Sequence, residues 1–184
     1  MDPIQKLMAE HKNILIGISL LEVGSNRLES GENVSPEIFR NLIDFIRNYA
    51  DKYHHAKEED ILFVRLGKAG FPAEEGPIAV MLDEHNQGRS LVTALENANE
   101  QYASGESSFT GEIIENALGY IYLLRYHIDK ENNVLYPMAI SLLGKGGIDA
   151  MIPDFERVER ENAGIEEKYI AILKELELEL GSGN

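Results

Sequence analysis

Tyr53-His54-His55-Ala56-Lys57-Glu58-Glu59-Asp60-Ile61-Leu62-Phe63 returns later in the chain as Tyr126-His127-Ile128-Asp129-Lys130-Glu131-Asn132-Asn133-Val134-Leu135-Tyr136. Each copy carries a His and, four residues on, a Glu. On a helix such a pair lies on one face, one turn apart. A second echo precedes each copy, Glu10-His11 before the first and Glu84-His85 before the second, with Glu22 and Glu96 at matched distances beyond. Four of the five histidines thus follow a twice-repeated order, His and then His-x-x-x-Glu. Metal ligation explains that distribution better than chance.

The copies are embedded in helical periodicity. Asp2 and Pro3 suit a helix start, and Ile4, Leu7, Met8, His11, Leu15, Ile18, Leu21 and Leu28 recur at helical spacing until Gly31. Ser35-Pro36-Glu37 starts a second helix, carried by Phe39, Leu42, Ile43, Ile46, Tyr49, Tyr53 and Ile61 to about Leu66. After Gly67, Gly70 and Pro72, a third runs from Ala73 to Ala103 and a fourth from Thr110 to Leu143. Pro137 should kink or split the fourth near Tyr136, and Gly144, Gly146 and Gly147 should stop it.

A fifth segment, Asp154 to Leu180, places Phe155, Val158, Asn162, Ile165, Tyr169, Ile172 and Leu176 in a heptad-like stripe. It is expected to pack on the side of the protein, with a homodimer seam as the competing reading. No strand pattern is visible. Four helices of about 30 residues, each about 45 Å long, joined by short loops predict an all-α fold. Its form would be an antiparallel up-down-up-down four-helix bundle with an additional C-terminal helix. Residues 1–150 would form the bundle and residues 151–184 the last helix and tail.

At 184 residues with 43% apolar content, one sizeable core is expected. The absence of cysteine excludes disulfides and thiolate metal sites. A net charge of −15, from 32 acidic and 17 basic residues, argues against nucleic-acid and anionic-membrane partners. No signal peptide and no membrane span is read from the sequence, so a cytoplasmic protein is expected.

In four parallel rows of helix, His11, His54, Glu58, His85, His127 and Glu131 reach one level of the core. Burial of six such groups is costly without partners, and metal supplies them. Four imidazoles and two carboxylates suit borderline divalent ions. One tetrahedral zinc needs only four ligands, so two metals are expected, each with two His, the two glutamates bridging them. Open positions would take water, dioxygen or nitric oxide. The repeat pairs Glu59 with Asn132 and His55 with Ile128, which favours Glu58 over Glu59 and His54 over His55 as ligands. His55 is read as supporting the ligands or exposed, with an extra ligand as the alternative. Glu10 and Glu84, as sequence neighbours of their histidines, are expected to face away. Tyr53, Tyr122 and Tyr126 are candidates for hydrogen bonds or electron transfer near the site, with core packing the plainer reading.

On these residues, together with Ile61-Leu62-Phe63 and Val134-Leu135-Tyr136-Pro137, the chain resembles the hemerythrin-like, or HHE cation-binding, domains over about residues 4–140. The resemblance implies a non-haem di-iron site with an oxo or hydroxo bridge, with zinc or manganese able to occupy it in a purified sample. It also implies binding or sensing of dioxygen or another small ligand, nitric oxide or peroxide. The alternatives are a peroxide or nitric oxide reductase and a protein of iron-centre repair or iron handling. Oxygen carriers of the family have a fifth His where this chain has Arg89, and an Asp five residues after the last His where this chain has Glu131 after four. The missing fifth His leaves a less saturated cluster and argues against reversible oxygen carriage. Arg89 is expected to face solvent or pair with a carboxylate.

Overall fold

The computed structural model describes residues 2–72 and 74–181. Helix α1 (Pro3–Glu29) begins as expected: the Asp2 carboxylate accepts hydrogen bonds from the backbone N–H groups of Ile4 (2.9 Å) and Gln5 (3.1 Å). It ends ahead of Gly31, whose φ of 82° an L side chain rarely adopts. Helix α2 (Pro36–Phe45) is capped by Ser35. It runs on through two π-helical stretches, Ile46–His55 and Glu58–Leu62, into α3 (Phe63–Lys68).

Helix α4 (Gly76–Ala103) follows; Ala73, the expected start, lies outside the described residues. Helix α5 (Thr110–Lys130) continues through a π stretch, Glu131–Leu135, into α6 (Tyr136–Asp149). The irregularity expected at Pro137 therefore takes the form of a wide turn just before it. Val64 stands at the matched place in the first copy, and the π stretch occurs there too. Proline alone is thus not its cause. Both stretches open on a fully buried glutamate, and such wide turns recur at functional sites. Gly144 breaks α6 with φ 60° and ψ 176°, after which helix resumes to Asp149.

The fifth segment differs from expectation. It is two helices, α7 (Ile152–Glu161) and α8 (Ile165–Gly181), parted at Gly164 with φ 83°. Asn162 closes α7, its side-chain amide donating to the Val158 carbonyl, so the heptad stripe does not run through it. Along α8 the buried residues are Tyr169, Leu173, Leu176 and Leu180, and the helix packs within the chain on α1 and α2.

The described residues are all-helical. Helix α1 packs on α2 and α5, and α4 packs on α2 and α5. Two apolar clusters fill the interior, one around Ile18, Phe39, Leu95 and Ile121 and the other around Leu7, Leu62, Ile78 and Tyr136. Between them lies a polar layer. On α1 it falls between Leu7 and Ile14, on the second helical run between Tyr53 and Ile61, on α4 between Met81 and Val92. No helix of the described residues is long and apolar enough to cross a membrane.

Candidate metal centre

All six residues expected as ligands converge on that layer, each at most 2% exposed. His11 comes from α1, His54 and Glu58 from the two π stretches, His85 from α4, His127 from α5, and Glu131 from the first residue of the third π stretch. His11, His54, Glu58 and Glu131 each offer a ligand atom within 4.8 Å of one another; so do His55, Glu58, His85 and His127.

The two glutamates reach both halves. Glu131 Oε2 lies 3.2 Å from His11 Nε2, and its Oε1 lies 3.1 Å from His127 Nε2. Glu58 Oε2 lies 3.7 Å from the Nε2 atoms of both His54 and His85. The Tyr136 hydroxyl donates to the other oxygen, Oε1, at 2.6 Å.

The histidine tautomers follow from the outer partners. His54 Nδ1 meets Glu10 at 2.8 Å, His127 Nδ1 meets Glu84 at 2.9 Å, and His85 Nδ1 meets Glu59 at 2.6 Å. His11 Nδ1 meets the Asn132 side-chain oxygen at 2.9 Å. Each partner atom is an acceptor, so each Nδ1 carries the proton and donates, and each Nε2 turns a bare lone pair inward. Glu10 and Glu84 thus do not face away. Each crosses to the histidine of the following helix rather than serving its sequence neighbour. Lys57 in turn pairs with Glu10, and Lys130 with Glu84.

Such an interior demands cations. His54 Nε2, Glu58 Oε2 and both oxygens of Glu131 are buried without a hydrogen-bond partner, an arrangement that costs several kcal/mol if left so. His85 and His127 bring their Nε2 atoms to 3.0 Å, and two lone pairs do not face at that distance unless a proton or cation lies between. With protons alone, burial and the nearby Glu131 push Glu58 well above the usual carboxylate range. Glu131 is held well below it, the His127 and His11 rings outweighing burial. Burial works to lower His127, but Glu131 and Glu84 hold it up at about 9. Burial and His11 keep His54 well below an ordinary imidazole, hence neutral. Two nitrogen pairs joined by two carboxylates fit two divalent metals of borderline hardness, and His55 adds a nitrogen on one side.

Of the places the sequence left open for His55, the exposed one is ruled out. His55 is buried, stacks on His85 with ring centroids 3.8 Å apart, and lies 3.5 Å from Asp51 through Nδ1. The wide helical turn carrying it turns both His54 and His55 inward, which an ordinary 100° step per residue does not suggest. Tyr136 was given no role by the sequence reading. In the repeat it matches Phe63, which stacks near His85 without a hydroxyl to offer. That difference was readable in the aligned copies. Tyr122 and Tyr126 are instead 58% and 71% exposed, and Tyr53 is buried beneath the Lys57 ammonium. Arg89 pairs with carboxylates, Asp51 at 2.7 Å and Glu59 at 2.6 Å.

Residues 2–139 match the hemerythrin HHE cation binding domain. The chain belongs to that family. Among curated proteins, it is 22% identical over 160 residues to the uncharacterized protein Rv1995 of Mycobacterium tuberculosis (strain ATCC 25618 / H37Rv), covering 87% of this chain and 62% of the relative. It is 30% identical over 110 residues to the iron-sulfur cluster repair protein YtfE of Salmonella newport (strain SL254), covering 58% of this chain and 50% of the relative. The chain thus spans between half and two thirds of the length of these relatives. No solved structure matches. Family membership carries metal binding with it; helices α7 and α8 lie beyond the matched residues.

Proposed function

We propose that this chain is a non-haem di-iron protein that binds or senses dioxygen or another small ligand, nitric oxide or peroxide. His11, His54, Glu58, His85, His127 and Glu131 would hold the two ions in an antiparallel four-helix bundle of residues 1–150, with residues 151–184 as an appended helical segment. One observation carries the reading. Glu58 and Glu131 are buried between two histidine pairs whose Nε2 lone pairs all turn inward, and Glu58 Oε2 and both Glu131 oxygens lack a hydrogen-bond partner. Bound ferrous iron would supply electrons and an open position for the ligand. The chain's own part is to hold the histidine tautomers through Glu10, Glu59, Glu84 and Asn132, and to fix Glu58 through Tyr136.

Metal analysis of protein purified without added metal tests this. About two irons per chain are expected, one for each histidine pair, and His54→Ala or Glu58→Ala should lower loading by at least half. One zinc per chain, or full iron retention in both variants, would sink the assignment. An anaerobic stopped-flow experiment then separates binding from turnover. A reversible spectrum on adding dioxygen marks a binder, whereas steady consumption of peroxide or nitric oxide marks a reductase.

The likeness to YtfE supports a second reading, iron handling for repair of iron centres. Under it, the reduced protein gives up its iron to a competing apo-acceptor within minutes. Iron retained through such a competition rejects it.

A further inference from the structure

The two halves of the centre are not equally closed. Around His11 and His54, the Tyr136 hydroxyl lies 3.4 Å from His11 Nε2 and its ring stacks on that imidazole. Around His85 and His127, Phe63 takes the matched place, and a cavity of about 210 Å³ opens from these imidazoles and His55 toward solvent.

The cavity is larger than a diatomic ligand needs. A water molecule's share of the liquid is about 30 Å³, and an apolar cavity of about 150 Å³ takes up benzene. Its inner walls, Ile46, Val92 and Leu124, are apolar. Tyr120 also lines it and is only 3% exposed. Burial pushes that phenol up, so it stays a donor.

The charges at the mouth are unevenly committed. Asp51 is tied to Arg89, Glu84 to Lys130 and His127, and Arg47 to Glu96. The Lys52 ammonium meets only the neutral Asn48 side chain, at 3.3 Å. An uncommitted cation at the mouth of an apolar cavity complements an acid.

We propose that this cavity binds a small organic monocarboxylate of about ring size, its apolar body between Ile46, Val92 and Leu124 and its carboxylate toward Lys52. The Tyr120 hydroxyl is placed to hydrogen-bond a polar substituent on the body. The site goes beyond the diatomic reading: it shares the His85 and His127 imidazoles with the proposed centre, but its apolar walls and its cation are separate from the six ligands.

Calorimetric titration of the full chain, with metal content measured in every sample, tests the proposal using benzoate, acetate and benzylamine. Benzoate should bind at least about tenfold more tightly than either comparator. Lys52→Gln should weaken benzoate about three- to tenfold. Thr93→Trp, an exposed position at the mouth, should obstruct it without changing the metal content. Acetate binding as tightly as benzoate would place the carboxylate on the metals and overturn the proposal. So would benzylamine matching benzoate, no benzoate binding at millimolar concentration, or benzoate affinity unchanged in both variants.

Discussion

Lys57 and Lys130 occupy matched places in the repeat and do the same job, each holding a glutamate that orients a histidine one helix away. Their surroundings differ. Lys57 and Glu10 are wholly buried, and the ammonium lies 3.5 Å above the Tyr53 ring. Burial lowers Lys57 and raises Glu10, each opposing the charge that its partner favours. Lys130 is 40% exposed. Removing one member of a buried pair strands the other, whereas a wet pair contributes little. Lys57→Met should therefore cost about 3–5 kcal/mol and impair metal loading at the His54 side. Lys130→Met should cost less than about 1 kcal/mol. Urea unfolding of both variants checks this, and equal costs would contradict the account. The repeat itself showed that these lysines correspond. It did not show which is buried, because each copy faces different neighbours.

At the scale of elements, close approach of α1 and α2 depends on Gly17. A Cβ there would stand 2.3 Å from the Phe45 ring, which is fully buried and has no room to swing away. Gly17→Ala should destabilise by about 1–3 kcal/mol through overpacking, despite the helix preference of alanine, about 1 kcal/mol in its favour. Gly111, in the first turn of α5, has nothing within 4 Å of such a Cβ. Gly111→Ala should leave stability unchanged or raise it by up to about 1 kcal/mol. Thermal melts of the two variants decide it; a stabilised Gly17→Ala would show that the helices part more easily than the contact implies. Helix identity was legible here from apolar spacing and from the caps at Asp2 and Ser35. The π stretches were not. Their wide turns answer to which side chains are buried, and periodicity over a short window does not resolve an extra residue per turn.

For the molecule as a whole, the metal centre joins the helical runs through one buried layer, so pH and metal act on stability together. In metal-free protein, His127 is raised to about 9 by its carboxylate partners against burial. That contribution is fully present below its ordinary value of about 6.5 and is lost as pH rises through 9. The raised Glu58 acts in the same direction, since the folded state then binds more protons than the unfolded. Glu131, held low, contributes above the ordinary carboxylate range and loses this only as pH falls through its depressed value. Metal reverses the trend, because ligands must shed protons to coordinate. Chelator-treated protein should thus melt lower at pH 9.5 than at pH 6.5. Metal-loaded protein should melt higher than the treated form at both, and should lose its metal as pH falls below about 6. Scanning calorimetry of both forms is the measurement; identical melting temperatures with and without metal would separate the centre from the fold.

Spacing along the chain determined that this protein is helical, and it singled out six of the residues that meet in its polar layer. Both follow from local geometry, since an amphipathic period and an i, i+4 pair are properties of a single helix. The break at Gly164, the inward turn of His55, the cross-helix service of Glu10 and Glu84, and the Tyr136 cap were decided only by the tertiary structure. Each depends on which helix lies opposite, and so does the cavity beside His85. A duplicated motif records two equivalent halves; packing against non-equivalent neighbours makes one half closed and the other open.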